Sequence, residues 1–273
     1  MTSEKLAPVR ARHREEALRR GVSPRDVDLL LSDIMKQPLS YVVSHGDADV
    51  DSIELQHRIE RRYAGEPLQY IRGTTEFYSH EFHVDDRVLI PRPETEILVE
   101  TALARAPQNA RVLDVGTGSG CIAISIDLAR PDLRVFATDI SVAALAVAAR
   151  NRRALHSRID LAASDLLESI KGSFDLMVSN PPYIPAAEIN TLAPEVKDYE
   201  PRLALTPGER GTEIIDRLLN TVRRRLAPEG VIMIEIGYGQ AAAVRAIADM
   251  RGFVVERFVA DLAGIPRVAV ITR

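Results

Sequence analysis

The sequence predicts an α/β fold: a seven-stranded, mostly parallel sheet with helices on both faces, plus a small N-terminal helical domain joined by a β-hairpin. Three observations carry this reading. From Arg111 onward, short β-forming runs alternate with amphipathic helical stretches, the pattern of a parallel sheet covered on both sides. Residues 1 to about 72 show helical periodicity without that alternation. Between them, Thr74, Thr75, Phe77, Tyr78, Phe82, Val84, Val88 and Leu89 are β-formers, which reads as a hairpin. The expected divisions are therefore residues 1–72, a linker at 73–90, and a large domain at 91–273.

In the first part, Ser23-Pro24-Arg25-Asp26 opens a helix with a Ser cap, Pro at the first position and an acid in the first turn. Val27, Leu30, Leu31 and Ile34 follow on one face. A second helix starts near Asp51-Ser52, carries Leu55, Ile59 and Tyr63 on one side, and stops at Gly65 and Pro67. The leading Arg-rich stretch is interrupted by Glu4, Glu15 and Glu16, so it reads as a solvated surface helix rather than a transit peptide.

After Pro91-Arg92-Pro93 a helix is expected from about Thr95 to Ala106. Strands are then expected at 111–115, 133–138, 159–163, 174–179, 230–236, 253–260 and 267–272. Helices fall at about 119–129, 142–152, 212–226 and 239–250, and the last two strands form an antiparallel hairpin at one end of the sheet.

Bulk composition excludes several function classes. With 273 residues, the chain can hold one large α/β domain, or one such domain and a small partner. A net charge of -4 argues against gripping long nucleic acid. No apolar stretch approaches the roughly 20 residues that cross a bilayer. One cysteine, Cys121, rules out an internal disulfide framework and fits a reducing, cytoplasmic setting. No metal site is expected.

The densest local signal is Val112-Leu113-Asp114-Val115-Gly116-Thr117-Gly118-Ser119-Gly120, an apolar strand entering a glycine-rich turn that opens a helix. Glycines let the backbone turn tightly and approach a ligand. Asp139 ends the next strand, 19 residues after Gly120, where a carboxylate can accept from both ribose hydroxyls of an adenosine ligand. Those features alone suit a dinucleotide or S-adenosylmethionine equally. Two others favour the latter. The Gly-x-Gly-x-Gly spacing misses the pyrophosphate fingerprint, and Asp114 can pair directly or through water with the ammonium of a methionine moiety but would repel a pyrophosphate. Asp165 and Leu166 end the third strand, placed to meet the adenine amine and cover its ring.

The fourth strand ends in Asn180-Pro181-Pro182-Tyr183. Ligands of open α/β sheets bind beyond the strands' carboxyl ends. Both prolines lack an N–H and hold the backbone extended. The Asn180 side-chain carbonyl and the Pro181 main-chain carbonyl can accept both hydrogens of an NH2 group, with Tyr183 as a flat face. Such acceptors orient a delocalised amide or arylamine nitrogen toward a methyl donor and stabilise positive charge developing on it. A nicotinamide oxidoreductase would leave this tetrapeptide unexplained; a non-catalytic binding protein that keeps the fold is a further alternative. An adenine-N6 methyltransferase would use it equally well on a flipped base, but the acidic balance and the lack of a basic, aromatic-studded insertion speak against that.

On these motifs, together with Gly65-Glu66-Pro67-Leu68-Gln69-Tyr70-Ile71, Gly73 to Tyr78, Leu89-Ile90-Pro91-Arg92-Pro93-Glu94-Thr95-Glu96 and Tyr199-Glu200-Pro201, the chain resembles the class I (Rossmann-like) S-adenosylmethionine methyltransferases. Within them it is similar to the peptide chain release factor glutamine methyltransferases of the HemK/PrmC type. The resemblance covers nearly everything from about residue 60 onward. It implies transfer of a methyl group to the glutamine side-chain amide of the Gly-Gln-Gln motif in class I release factors, leaving S-adenosylhomocysteine. It further implies that Asp114, Gly116, Thr117, Gly118, Ser119, Gly120, Asp139, Asp165 and Leu166 bind the cofactor, with Asn180 also at that site. Asn180, Pro181, Pro182 and Tyr183 would hold the substrate amide, with Asn180, Pro181 and Tyr183 catalytic. Where some relatives place an aromatic over the adenine, this chain has Leu166. The helical residues 1–72 would dock the protein substrate, and stable nucleic-acid or membrane binding is not expected.

Overall fold

The strand–helix alternation from Arg111 is realised as a single seven-stranded sheet, preceded by a separate helical unit. The structure, a computed structural model, describes residues 3–273. Its chain divides into two units: one holds the described residues up to Gly73 together with Pro194–Tyr199, the other Thr74–Ala193 and Glu200–Arg273.

In the first unit, β1 (Ser3–Lys5) leads into α1 (Leu6–Arg19), α2 (Pro24–Met35) and α3 (Leu39–Ser44); β2 (Asp49–Asp51), α4 (Ser52–Tyr63) and α5 (Leu68–Arg72) follow. The caps form as their residue types dictate. The Ser23 hydroxyl accepts from the Arg25 N–H at 3.3 Å, and Asp51 accepts from the N–H groups of Ile53 and Glu54 at 3.2 and 3.1 Å. Val27, Leu30, Leu31, Leu55 and Ile59 are fully buried in one cluster.

Three features depart from the sequence reading. The unit is not purely helical, because β1 and β2 pair antiparallel. The Arg-rich leading helix is also not simply solvated. Leu6, Val9, His13 and Ala17 form a buried stripe, while Arg10 and Arg14 both bind Asp28 of α2. Residues 194–199 were expected within the large domain, yet Glu195 pairs with Arg62 at 3.0 Å and the Tyr199 hydroxyl donates to the Ala64 carbonyl at 2.9 Å.

The second unit opens with the hairpin β3 (Thr74–Phe77) and β4 (His80–His83). Phe77 and Phe82 bury in this unit's core with Leu98 and Val99, so the hairpin is part of the unit rather than a free-standing linker. Tyr78 and Ser79 at its tip take positive φ (49° and 62°), and Glu96 accepts from the Tyr78 N–H at 2.8 Å. Then come α6 (Glu96–Arg105), β5 (Arg111–Val115), α7 (Cys121–Ala129), β6 (Arg134–Asp139), α8 (Val142–Ala154), β7 (Asp160–Ala163) and β8 (Phe174–Ser179). Past α9 (Pro194–Lys197, in the first unit) lie α10 (Arg202–Leu205), α11 (Glu213–Val222), β9 (Leu226–Glu235), α12 (Ala241–Met250), β10 (Val254–Ala260) and β11 (Pro266–Thr272).

The sheet order is β10-β11-β9-β8-β5-β6-β7, parallel throughout except that β11 runs antiparallel to both its neighbours. Alternate residues serve opposite faces. Val112, Leu176, Val178 and Met233 pack in one core, whereas Leu113, Met177, Ile232 and Ile234 pack in the other with Ile215, Leu218 and Leu219 of α11. The expected helix at 212–226 ends early, at Val222. Arg225 O accepts from the Phe174 N–H at 2.8 Å and Leu226 already pairs with Phe174. Pro228 and Gly230 had hidden this start of β9, which carries an irregularity where the register jumps between Phe174 and Leu176. β5 lies between β6 and β8, so the chain order reverses at the β5–β8 boundary. Crevices at such reversals, beyond the strands' carboxyl ends, are where α/β sheets bind ligands.

Candidate active site

The turn after β5 is held by the neighbouring strand. Gly116 N–H and Thr117 N–H both donate to the Thr138 carbonyl, at 2.8 and 2.9 Å. Gly116 and Gly118 take φ of 80° and 55°, and a Cβ added at either would meet nothing within 4 Å. Both line a cavity of about 220 Å³, so a side chain here would be strained and would project where a ligand must approach. Gly120 differs. Its Cβ would fall 3.0 Å from Ile124 and 3.2 Å from Ala148, and it is absent from the cavity wall. The sequence placed Gly120 among the cofactor's contacts; in the structure its missing side chain serves the seating of α7 against α8.

The carboxylates around this turn divide their tasks. Asp139 lines the cavity; its two oxygens accept from the N–H groups of Gly118 and Ser141, each at 2.8 Å. Burial outweighs these bonds and raises its pKa. Each oxygen keeps a lone pair for a ribose hydroxyl. Asp114 is 0% exposed and stands behind the turn, accepting from the Thr117 hydroxyl at 2.6 Å. It does not itself line the cavity; of the two pairings with an ammonium that the sequence allows, direct or through water, this burial favours the second. Burial pushes its pKa up to about 7. Asp165 and Leu166 do line the cavity, and Asp165 binds Arg217 of α11 at 2.8 Å. Cys121 is buried, and that burial pushes its thiol up to about 12, which makes it a poor nucleophile.

Beyond β8, Asn180, Pro181 and Pro182 line the same cavity as the glycine turn and Asp139. Asn180 donates its amide N–H to the Thr95 hydroxyl at 3.2 Å, which leaves its carbonyl oxygen free to accept. Tyr183, expected as a flat face against the substrate amide, is not among the residues of the cavity wall. Its hydroxyl donates to Glu235 at 3.5 Å, and burial pushes its pKa up to about 12. The tetrapeptide is pinned from the far side by Gln240, whose Nε2 donates to the Tyr183 carbonyl at 2.8 Å while its Oε1 accepts from the Gly237 N–H at 2.8 Å.

Several of these residues escaped the sequence reading. Thr95 lies inside the Arg92–Glu96 block, whose side chains had no individual roles; Arg92 in turn binds the buried Glu200 at 2.5 Å. Glu235 carried a usable signal: an acid closing the buried apolar run Val231 to Ile234. Gln240 and Arg217 had none.

These residues fit an adenosine-bearing sulfonium cofactor. The turn leaves room at two positive-φ glycines, Asp139 stands at the cavity wall, and Ile122, Ile140, Leu166 and Leu203 supply apolar walls. Among the described residues, no group of three or more His, Cys, Asp or Glu is placed to hold a metal.

Comparison with known proteins agrees with this arrangement. The methyltransferase small domain model matches residues 93–195, and the PrmC N-terminal domain model matches residues 10–73. The release factor glutamine methyltransferase of Koribacter versatilis is 43% identical over 256 residues, covering 91% of each chain. That of Geobacter sulfurreducens is 44% identical over 211 residues, covering 77% of this chain and 74% of its own. A methyltransferase from Pyrococcus furiosus shares the fold, with a TM-score of 0.55 at 19% identity over 80% of this chain and 96% of that one. With its site at the sheet's reversal point and a close match along nearly its full length, the chain belongs to the release factor glutamine methyltransferase family.

Proposed function

We propose that this protein methylates the side-chain amide nitrogen of the glutamine in the Gly-Gln-Gln motif of class I peptide chain release factors, in the cytoplasm, in support of translation termination. The observation that carries the reading is that Asn180 and Pro181 share one cavity with Gly116, Gly118 and Asp139. The names of the relatives point the same way.

S-adenosylmethionine, the family's donor, supplies an electrophilic methyl group and leaves as S-adenosylhomocysteine. The chain's own residues do the rest. Gly116 to Ser119 and Asp139 hold the adenosyl and methionine parts against the turn, and Asp165 and Leu166 meet the adenine. The Asn180 side-chain oxygen and the Pro181 carbonyl accept the two amide hydrogens. That orients the nitrogen lone pair toward the methyl carbon and offsets positive charge as it develops. Holding both partners in one site lowers the entropic part of the barrier. Pro182 lines the pocket beside Pro181, and Tyr183, held by Glu235 and Gln240, fixes the backbone of the tetrapeptide. The N-methylated cation is acidic enough to lose its proton late to water, so no strongly basic side chain is needed.

The described helices include none long and apolar enough to cross a membrane. Residues 1–72 dock the protein substrate in this reading; removing them is expected to raise the KM for a release factor far more than the Kd for the donor. The proposed activity is tested by incubating the enzyme with tritiated S-adenosylmethionine, a purified release factor and, separately, DNA or RNA. Label on the release factor alone supports it. Label on nucleic acid alone points instead to an adenine methyltransferase.

A further inference from the structure

The side-chain amide of Asn180 presents either its oxygen or its NH2 to the cavity, depending on a half-turn about its last bond, and only the oxygen-inward state accepts from a substrate amide. The structure contains a device that selects this state. Thr95, 2% exposed, receives the Asn180 N–H on its hydroxyl oxygen at 3.2 Å. A hydroxyl accepting there must direct its own proton elsewhere, and it meets the carboxylate of Glu235, 2% exposed at the end of β9. Glu235 also accepts from the Tyr183 hydroxyl at 3.5 Å. A carboxylate offers acceptors only. With Glu235 ionised, the direction of donation therefore runs one way, from Asn180 to Thr95 to Glu235, and separately from Tyr183 to Glu235.

We infer that Thr95 and Glu235 are positioning residues that hold the Asn180 amide with its oxygen toward the substrate, and that Glu235 anchors both ends of the Asn180–Tyr183 tetrapeptide. The inference rests on the proposed role of Asn180 as an acceptor for the substrate amide. It accounts for an otherwise unfavourable choice: an ionisable side chain buried at the end of an apolar strand, where burial pushes its pKa up to about 7.

The test is a kinetic double-mutant cycle on the full-length enzyme with a release factor as substrate. Thr95→Val keeps the shape and removes the hydroxyl, so kcat is expected to fall about 10-fold or more, part of the roughly 100-fold range for losing an oriented donor or acceptor. The Kd for S-adenosylmethionine should stay within about twofold, since Thr95 acts on the acceptor side. Thr95→Ser restores the hydroxyl and should recover most of the lost turnover. Glu235→Gln can present an NH2 toward Thr95 and should lower kcat in the same selective way. In the Asn180→Ala background, adding Thr95→Val should cost little more, because the amide it orients is gone. Fully additive losses, or Thr95→Val turning over at the wild-type rate while Asn180→Ala is slow, would overturn the inference and leave the role of Asn180 standing. Wild-type turnover by Asn180→Ala would instead remove the reading beneath it.

Discussion

Glu235→Gln should change the pH dependence of stability in a calculable way. Burial raises the Glu235 pKa from an ordinary 4.5 to about 7, opposed by the Thr95 and Tyr183 hydroxyls and by Arg267 and reinforced by Glu94. Each pH unit of such a rise is worth about 1.4 kcal/mol, which gives on the order of 3 kcal/mol. The sign follows from proton counting. Between pH 4.5 and 7 the folded chain holds a proton at Glu235 that the unfolded chain has released, so stability falls as pH rises across that window. Above pH 7 the full penalty is in place; below 4.5 it vanishes. Asp114, raised by burial to about 7 as well, adds a similar slope but is common to both proteins. The difference in unfolding free energy, Glu235→Gln minus wild type, should therefore climb by about 2.5 kcal/mol from pH 5 to pH 8, part of the penalty being already present at pH 5. Urea unfolding followed by circular dichroism at pH 5, 6, 7 and 8 measures it. Parallel pH profiles for the two proteins would refute the reasoning, whatever their offset.

Three further outcomes are expected. Asn180→Ala should lower kcat by ~100-fold or more while calorimetry shows donor affinity nearly intact; unchanged turnover would reject the acceptor role. Asp139→Ala should weaken donor binding by ~1–3 kcal/mol, the scale of a lost charged hydrogen bond, and a wild-type Kd by calorimetry would count against its place at the ribose. Gly118→Ala and Gly120→Ala should separate ligand room from packing. The first introduces a Cβ into open cavity and should chiefly impair donor binding, whereas the second presses on Ile124 and Ala148 and should chiefly lower the unfolding midpoint; equal losses of affinity in both would contradict that division.

What the sequence disclosed depended on how local the determining physics was. The strand cores at 111–115 and 174–179 and the helix start at Ser23-Pro24 follow from periodicity and capping, which act over a few residues. The start of β9 did not follow, because Pro228 and Gly230 suppress a strand signal that pairing with Phe174 overrides. Around the cavity, the glycine turn, Asp139 and Asn180–Pro182 were legible because each lies at a strand end, where topology alone brings them together. The functions of Gly120 and Asp114 were not, since whether a turn residue faces a ligand or a helix depends on contacts with Ala148 and Thr117. Thr95 and Gln240 are set by partners 85 and 57 residues away in the chain, a separation that no local pattern encodes. The placement of Glu195 and Tyr199 beside Arg62 and Ala64 is a long-range pairing of the same kind.

The central claim, methyl transfer to one glutamine amide held by Asn180 and Pro181, is tested most directly by peptide mass mapping. A release factor is incubated with donor and either the wild-type enzyme or Asn180→Ala, then digested with trypsin. The account predicts one added methyl group on the fragment bearing Gly-Gln-Gln, localised to a glutamine side chain by fragmentation, and almost none with the variant. A methyl group elsewhere in the protein, or the same yield from both enzymes, would contradict it.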